Sequence, residues 1–344
     1  MKTLKSTWSC PSNIALIKYW GKKPPQLPLN PSVSFSLDKA RTQTSIQIQP
    51  SSGRTVEFLF QGNPSPFGTR VEKYLDALSQ QEPWINDFSF TINSANTFPH
   101  SAGIASSASA YGALALCLTD LKNQLVDKKM AGIDFFSHSS QWARQGSGSA
   151  CRSVFPQFVL WGKTEQFPES SDEYAIPVNH QFHPDFASLR DAILLVDSSA
   201  KKISSSSGHD LMNDHPYRDA RIEQAKRHTN ELIETMRSGN FERFFAIVEN
   251  EALSLHAMMM TSNPSFILLY PNSLKIMEKV RDFRLQTGLP VGFTIDAGPN
   301  IHLLYFEFHK KEVQAFIQKE LLEYTEKGGW LDDGIGKGPE KISS

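Results

Sequence analysis

The chain has 344 residues, of which 40% are hydrophobic and 21% charged, with a formal net charge of −1. That length suits two domains, and the near-neutral balance gives no support to a nucleic-acid partner or a polybasic membrane attachment. No stretch reaches the ~18 apolar residues of a membrane-spanning helix, and the start "MKTLKSTWSCPSN" lacks the apolar run of a signal peptide.

From the N-terminus, "SNIALIKYWGKK" (12–23) reads as an apolar strand carrying Lys18, Lys22 and Lys23. Lysines so placed either serve an anion or blunt a sheet edge. The stretches "TQTSIQIQP" (42–50), "TVEFLF" (55–60) and "FSFTINSAN" (88–96) alternate as strands do, and "VEKYLDAL" (71–78) has helical spacing. The chain then turns over 99–103, and a helix is predicted over 102–118, with Ile104, Tyr111, Leu114 and Leu118 facing the core. A helix over 133–144 closes on a "GSGS" turn, and "QFVLWG" (157–162) is a strand. A polar, proline-containing stretch (163–186) precedes the strand "DAILLVDSS" (191–199), so the boundary is expected between an N-terminal domain, 1–187, and a C-terminal domain, 188–344. The second half offers helices over 217–237, 240–259 and 271–286, a hairpin from "VGFTIDAG" and "NIHLLYFEF", and a helix over about 310–325. Strands and helices mix without strict alternation, which makes the class α+β. The terminal "GIGKGP" (334–339) is no GxxxxGK[ST] loop and is expected to be a solvated end. Cys10, Cys117 and Cys151 form no CxxC pair, and their odd number fits a reducing, cytoplasmic compartment better than a disulfide framework.

Three further stretches carry chemistry. In "NTFPHSAGIASSASAYGALALCL" (96–118) a helix opens among small residues. Its unpaired N–H groups and partial positive charge suit a polyphosphate, with Ser106, Ser107 and Ser109 adding hydroxyls. Tight packing of an Ala/Gly face on a sheet explains the same composition equally well. "RQGSGSACRS" (144–153) sets two glycines and three serines between Arg144 and Arg152, either a phosphate or carboxylate cradle or a surface turn. "FTIDAGPNIHLLY" (293–305) places Asp296 at a strand end, a candidate general base or an Asx-turn residue. The ten histidines show no metal-ligand spacing and are read as structural or solvent-facing, His209 being the most interesting exception.

Together "NIALIKYWGKK", "NTFPHSAGIASSASA", "RQGSGSACRS" and "DAGPN" resemble the GHMP kinase superfamily and, within it, the diphosphomevalonate decarboxylases. The resemblance implies a two-domain GHMP-kinase-like fold with the active site in the cleft between domains, and use of ATP and Mg²⁺. It implies phosphorylation of the 3-hydroxyl of mevalonate 5-diphosphate, then loss of that phosphate and CO₂ to give isopentenyl diphosphate. It assigns catalysis to Asp296, Lys18 and Arg152, ATP binding to Gly103, Ser106 and Ser107, and Mg²⁺ to Ser107. Asn13, Tyr19, Lys22, Arg70, Arg144, Ser147, Ser149, Ser205 and Ser206 fall on substrate positions. It also implies a homodimer. The chain departs from the pattern at "GKKPPQLPLNPSVS" and at His209, where methionine is expected. The alternatives are a decarboxylase of mevalonate 5-phosphate, a mevalonate 3-kinase-like enzyme, and a non-catalytic metabolite-binding relative.

Overall fold

The computed structural model describes residues 3–98, 104–199 and 205–343, without the side chains of 180 and 205–207. Two β-sheets organise them. The first is built from β1 (Leu4–Ala15), then, beyond a small hairpin of β2 (Lys22–Lys23) and β3 (Leu27–Pro28), the 19-residue β4 (Ser32–Pro50). It continues with β5 (Thr55–Phe60), β6 (Asn63–Pro64), β7 (Phe88–Asn96), β8 (Phe158–Trp161) and β9 (Ala175–Pro177). The second sheet holds β10 (Leu189–Leu194), β11 (Gly292–Thr294), β12 (Ile301–Phe306) and β13 (Trp330–Gly334) in the order β11-β12-β10-β13. A last strand, β14 (Glu340–Lys341), returns to the first sheet, whose main path is β14-β1-β4-β7-β5-β6.

β4 does double duty through its length. Its first residues pair with β8, from Ser32↔Trp161 to Phe35↔Phe158, and its second half pairs with β7, from Thr42↔Asn96 to Pro50↔Phe88. The even residues Thr42, Thr44, Ile46 and Ile48 of that half are all fully buried, so the period-two pattern read from the sequence fixes which face meets the core. On that face lie α1 (Phe67–Ser79), α2 (Ser106–Leu125), α3 (Gly132–Gly146) and the short α4 (Ala150–Ser153). Ile104, Tyr111, Leu114 and Leu118 are buried as expected, and Ala108, Ala113 and Ala115 are fully enclosed. Cys10, Cys117 and Cys151 are free thiols within this first core.

In the second half come α5 (Ser205–Asp210), α6 (Arg218–Ser238), α7 (Phe241–Met260), α8 (Pro271–Thr287) and α9 (Lys310–Phe316). α6 ends at Gly239, and the side chain of Asn240 accepts the Arg243 N–H to cap α7, so the chain reverses within two residues. α6 and α7 share a core with β1, β4 and β12, in which Phe35, Phe244, Phe245 and Phe306 are buried. α8 and α9 cover the other face of the second sheet.

Two expectations need correction. The helix over 310–325 is interrupted: α9 gives way to a wider π turn at Ile317–Leu321 and a 3₁₀ turn at Leu322–Tyr324. The widened turn keeps Phe316, Ile317 and Leu321 all buried. The "GIGKGP" tail is not a solvated end. Gly336 lies so close to β4 that a Cβ there would sit 2.1 Å from the Leu37 carbonyl oxygen, and the tail then feeds β14 into register with β1.

Candidate active site

β1 ends at Ala15, and the N–H groups of Leu16 and Ile17 both donate to the Val33 carbonyl, at 2.8 and 3.1 Å. This bend carries Lys18 off the sheet edge and inward, to 1% exposure. Its Nζ lies 2.8 Å from Oδ1 of Asp296, which follows β11 at a tight turn closed by the Gly298 N–H on the Asp296 carbonyl. The sheet-edge explanation for Lys18 therefore does not hold: the lysine lies beyond the end of β1 and is buried against a carboxylate.

Arg152 reaches the same place from α4. Its guanidinium is 2% exposed, donates to Asn13 Oδ1 and Ser32 Oγ, and lies over the Trp161 ring at 5.8 Å. Burial lowers its proton affinity somewhat, which the nearby Asp296 carboxylate partly opposes. Asn13 is itself fixed by donating to the Ser149 carbonyl and Ser153 Oγ, at 3.1 and 2.8 Å. Gly148 allows the loop to come down on aromatic rings, since a Cβ there would lie 2.8 Å from the Tyr19 hydroxyl and 2.9 Å from Trp161.

These groups line one cavity of about 660 Å³. Lys18, Asp296, Arg152, Asn13 and Tyr19 form part of its wall, with Ser147 and Ser149 from the glycine-serine loop and Ser106 and Ser107 from the start of α2. Lys22 and Arg70 also reach it, the first half-buried and the second exposed. The Tyr19 hydroxyl is enclosed and has no hydrogen-bond partner among the described residues. No side chain among the described residues caps α2, which is entered through Ala105 at φ +40°. The small-residue stretch divides in two: Ser106 and Ser107 line the cavity, while the alanines beyond pack on the sheet.

Two of the expected positions, Arg144 and Ser109, behave differently, and three lie outside the described residues and side chains. Arg144 is not on the cavity wall; its guanidinium is 2% exposed and bound to Glu173 and to the Pro25 carbonyl, so it holds the loop between β2 and β3 in place. Gly103 lies outside the described residues, as do the side chains of Ser205 and Ser206. Ser109 is buried, its hydroxyl shared with Thr42 and the Ser106 carbonyl.

Residues given no site role from the sequence complete the site. Gln26, at the tip of that loop, and Trp20 line the cavity. His209 does too, wedged between Tyr19 and Trp20 with ring centroids 4.3 and 4.6 Å away. Its Nδ1 accepts the Gly21 N–H at 2.9 Å, which puts the proton of the neutral ring on Nε2. Burial, with Lys22 and Arg152 nearby, pushes its pKa down to about 3. Behind the wall, Glu251 is fully buried; its carboxylate accepts the Lys18 N–H and pairs with Arg221 and His228. Burial alone would push this carboxyl up, but Arg221 and the hydrogen bonds outweigh it and hold it below its ordinary value. The available signal was a Glu and a His interrupting the apolar face of "FAIVENEALSLHAMMM".

Residues 10–175 match the model of the diphosphomevalonate decarboxylase-like N-terminal domain, and residues 192–332 that of the mevalonate 5-diphosphate decarboxylase C-terminal domain. The diphosphomevalonate decarboxylase of Ganoderma lucidum is 31% identical over 93% of this chain and 82% of its own length. That of Saccharomyces cerevisiae is 30% identical over the same shares. The chain belongs to the diphosphomevalonate decarboxylase family. Its fold accordingly matches the family's GHMP-kinase-like architecture: the Staphylococcus aureus mevalonate diphosphate decarboxylase superposes with a TM-score of 0.85 at 28% identity over 99% of both chains. A relative solved in complex with MVAPP, AMPPCP and magnesium superposes at 0.83, with 28% identity over 100% of both. In diphosphomevalonate decarboxylase terms, the cavity takes Lys18 from the end of the first strand and Asp296 from the turn after β11, so it lies where the two sheets' segments meet.

Proposed function

We propose that this chain is an ATP-dependent decarboxylase converting mevalonate 5-diphosphate to isopentenyl diphosphate, with transient phosphorylation of the 3-hydroxyl. The carrying observation is the pairing of buried Lys18 with the partly exposed Asp296 at 2.8 Å, in one cavity with the buried Arg152. Phosphoryl transfer asks for placement and charge neutralisation more than covalent help. In this reading Asp296, its charge held by Lys18, takes the proton of the 3-hydroxyl. Arg152, fixed by Asn13 and Ser32, grips the substrate carboxylate through its planar fork. As the 3-phosphate leaves, positive charge develops at carbon 3; the electron pair of the bond to the carboxylate fills it, and CO₂ departs. Tyr19, Ser147 and Ser149 bind the body of the substrate, and Lys22 and Arg70 its diphosphate.

ATP bound with Mg²⁺ supplies the phosphoryl group and neutralises its charge. The start of α2 fits phosphate, having no side-chain cap among the described residues and small side chains at its first positions. The described residues include no cluster of three acidic, His or Cys side chains to hold a metal, so Ser107 and the phosphates themselves suit Mg²⁺, which keeps much of its water. The division of the chain near residue 188 is supported by family matches that end at 175 and begin at 192. A cytoplasmic homodimer belongs to the same reading; three free, buried cysteines fit a reducing compartment, and sedimentation of the purified protein checks the dimer.

The test is turnover with ATP and Mg²⁺ on mevalonate, its 5-phosphate and its 5-diphosphate, following ADP and CO₂ separately. The diphosphate should give both products in equal amounts. ADP without CO₂ would indicate a 3-kinase instead.

A further inference from the structure

Lys18 and Asp296 are 278 residues apart and come from different sheets, yet their charged atoms meet at 2.8 Å. The ion pair does not explain this by itself. The Asp296 side chain is 23% exposed, and a partly exposed pair holds a long, flexible lysine only weakly. The main chain on both sides is held instead, and by one helix. On α7, Oε2 of Glu251 accepts the Lys18 N–H at 2.9 Å. Further along the same helix, Nε2 of His256 lies 3.1 Å from the Asp296 carbonyl oxygen. A carbonyl can only accept, so His256 donates from Nε2. Both side chains are buried, Glu251 fully and His256 to 2% exposure.

Glu251 is braced in turn. Arg221 of α6 donates to both its oxygens, at 2.6 and 3.0 Å, and His228 lies 2.7 Å from Oε1. The Lys18 carbonyl is taken up as well, by Asn30 at 3.1 Å and more distantly by Arg221 at 3.4 Å. Neither Glu251 nor His256 lines the cavity. They touch no substrate in the reading above, but the main chain of both partners in the reacting pair ends on them.

We propose that Glu251 and His256 are positioning residues for the reaction: α7 acts as a spacer whose two hydrogen bonds set the Lys18 ammonium at its distance from the Asp296 carboxylate. The inference rests on Lys18 and Asp296 being the reacting pair. Misplacement by about 1 Å costs up to ~10²-fold in rate, so the spacing is where a helix behind the site can act.

Three variants test it. His256→Met keeps the bulk and loses the donor; His256→Gln restores an N–H at similar reach. Glu251→Asp keeps the charge opposite Arg221 and draws the carboxylate back from Lys18 by one methylene. His256→Met and Glu251→Asp should each lower kcat by ~10-fold or more with KM for both substrates within ~2-fold, the pattern of a lost transition-state interaction. His256→Gln should recover most of the loss. Crystal structures of the two impaired variants should show the Lys18–Asp296 distance lengthened from 2.8 Å. A kcat near wild type in both, or equal losses in His256→Met and His256→Gln, overturns the proposal. If one variant does not fold, the other carries the test. An inactive wild type whose variants lengthen the distance refutes the functional reading alone; an active wild type whose variants leave distance and kcat unchanged refutes the spacer alone.

Discussion

Lys18 and Lys22 stand four residues apart and face one cavity from opposite circumstances. Lys18 is 1% exposed, ion-paired, and fixed along its main chain by α7, while Arg152 beside it is 2% exposed and held by Asn13 and Ser32. Lys22 and Arg70 lie toward solvent, with no ion-pair partner among the described residues. A buried cation is expensive to desolvate and must be fully partnered, and that cost yields a fixed geometry. A rim cation costs little, keeps its water until an anion arrives, and is sensitive to salt. The inner region is therefore suited to chemistry, and the outer one to reading how much negative charge a ligand carries.

The largest effect should come from breaking the inner pair. Asp296→Asn keeps the shape and removes the charge, and kcat should fall by at least ~10²-fold, the low end for general acid–base catalysis. Substrate binding should largely survive, which isothermal titration would check. At the rim, Arg70→Ala removes a charge-assisted contact of ~1.5–3 kcal/mol, or ~10- to 150-fold in kcat/KM. That loss should fall on mevalonate 5-diphosphate and spare the 5-phosphate; equal losses on the two would remove Arg70 from the distal phosphate. Ser107→Ala, a neutral contact of ~0.5–1.5 kcal/mol, should raise KM for ATP by ~2- to 12-fold and leave the other substrate alone.

The mildest test concerns His209, which sits between the regions. Its folded pKa of about 3 lies below the ordinary 6.5, so the unfolded chain binds the extra proton first as pH drops. His138, pushed down to about 4 chiefly by burial, adds in the same sense. Both contributions to stability are complete above pH 6.5 and are lost progressively below it, down to about pH 4 and about pH 3. Urea midpoints measured against pH should show that decline, shallower in His209→Gln, while turnover should show no limb from His209 near neutrality.

The strands and most helices were legible because burial imposes a period: two along the second half of β4, and helical spacing along α2 and α6 to α8. The π turn after α9 was not, since its apolar residues look like ordinary helix until the core dictates a wider turn. Within the site, Arg152 and Asp296 stood out through their small-residue surroundings and Lys18 as a charge on an apolar stretch, and the cavity brings all three together. Arg144 carried the same signal and serves a loop instead, because a sequence shows that an arginine needs an acceptor but not which one. Glu251, Arg221 and His256 escaped notice because their partners are backbone groups and side chains far along the chain, which no local motif records.

The three free thiols all belong to the first core, on β1, α2 and α4, and none lies in the second sheet or its helices. Burial holds each of them above its ordinary pKa, Cys117 and Cys151 up to about 12, so the native protein offers an alkylating reagent almost no thiolate. They amount to a built-in stopwatch for one half of the molecule. The rate at which iodoacetamide enters Cys10, Cys117 and Cys151 times the opening of the first core, and a fluorescence change that runs ahead of that labelling would mark the second sheet coming apart first.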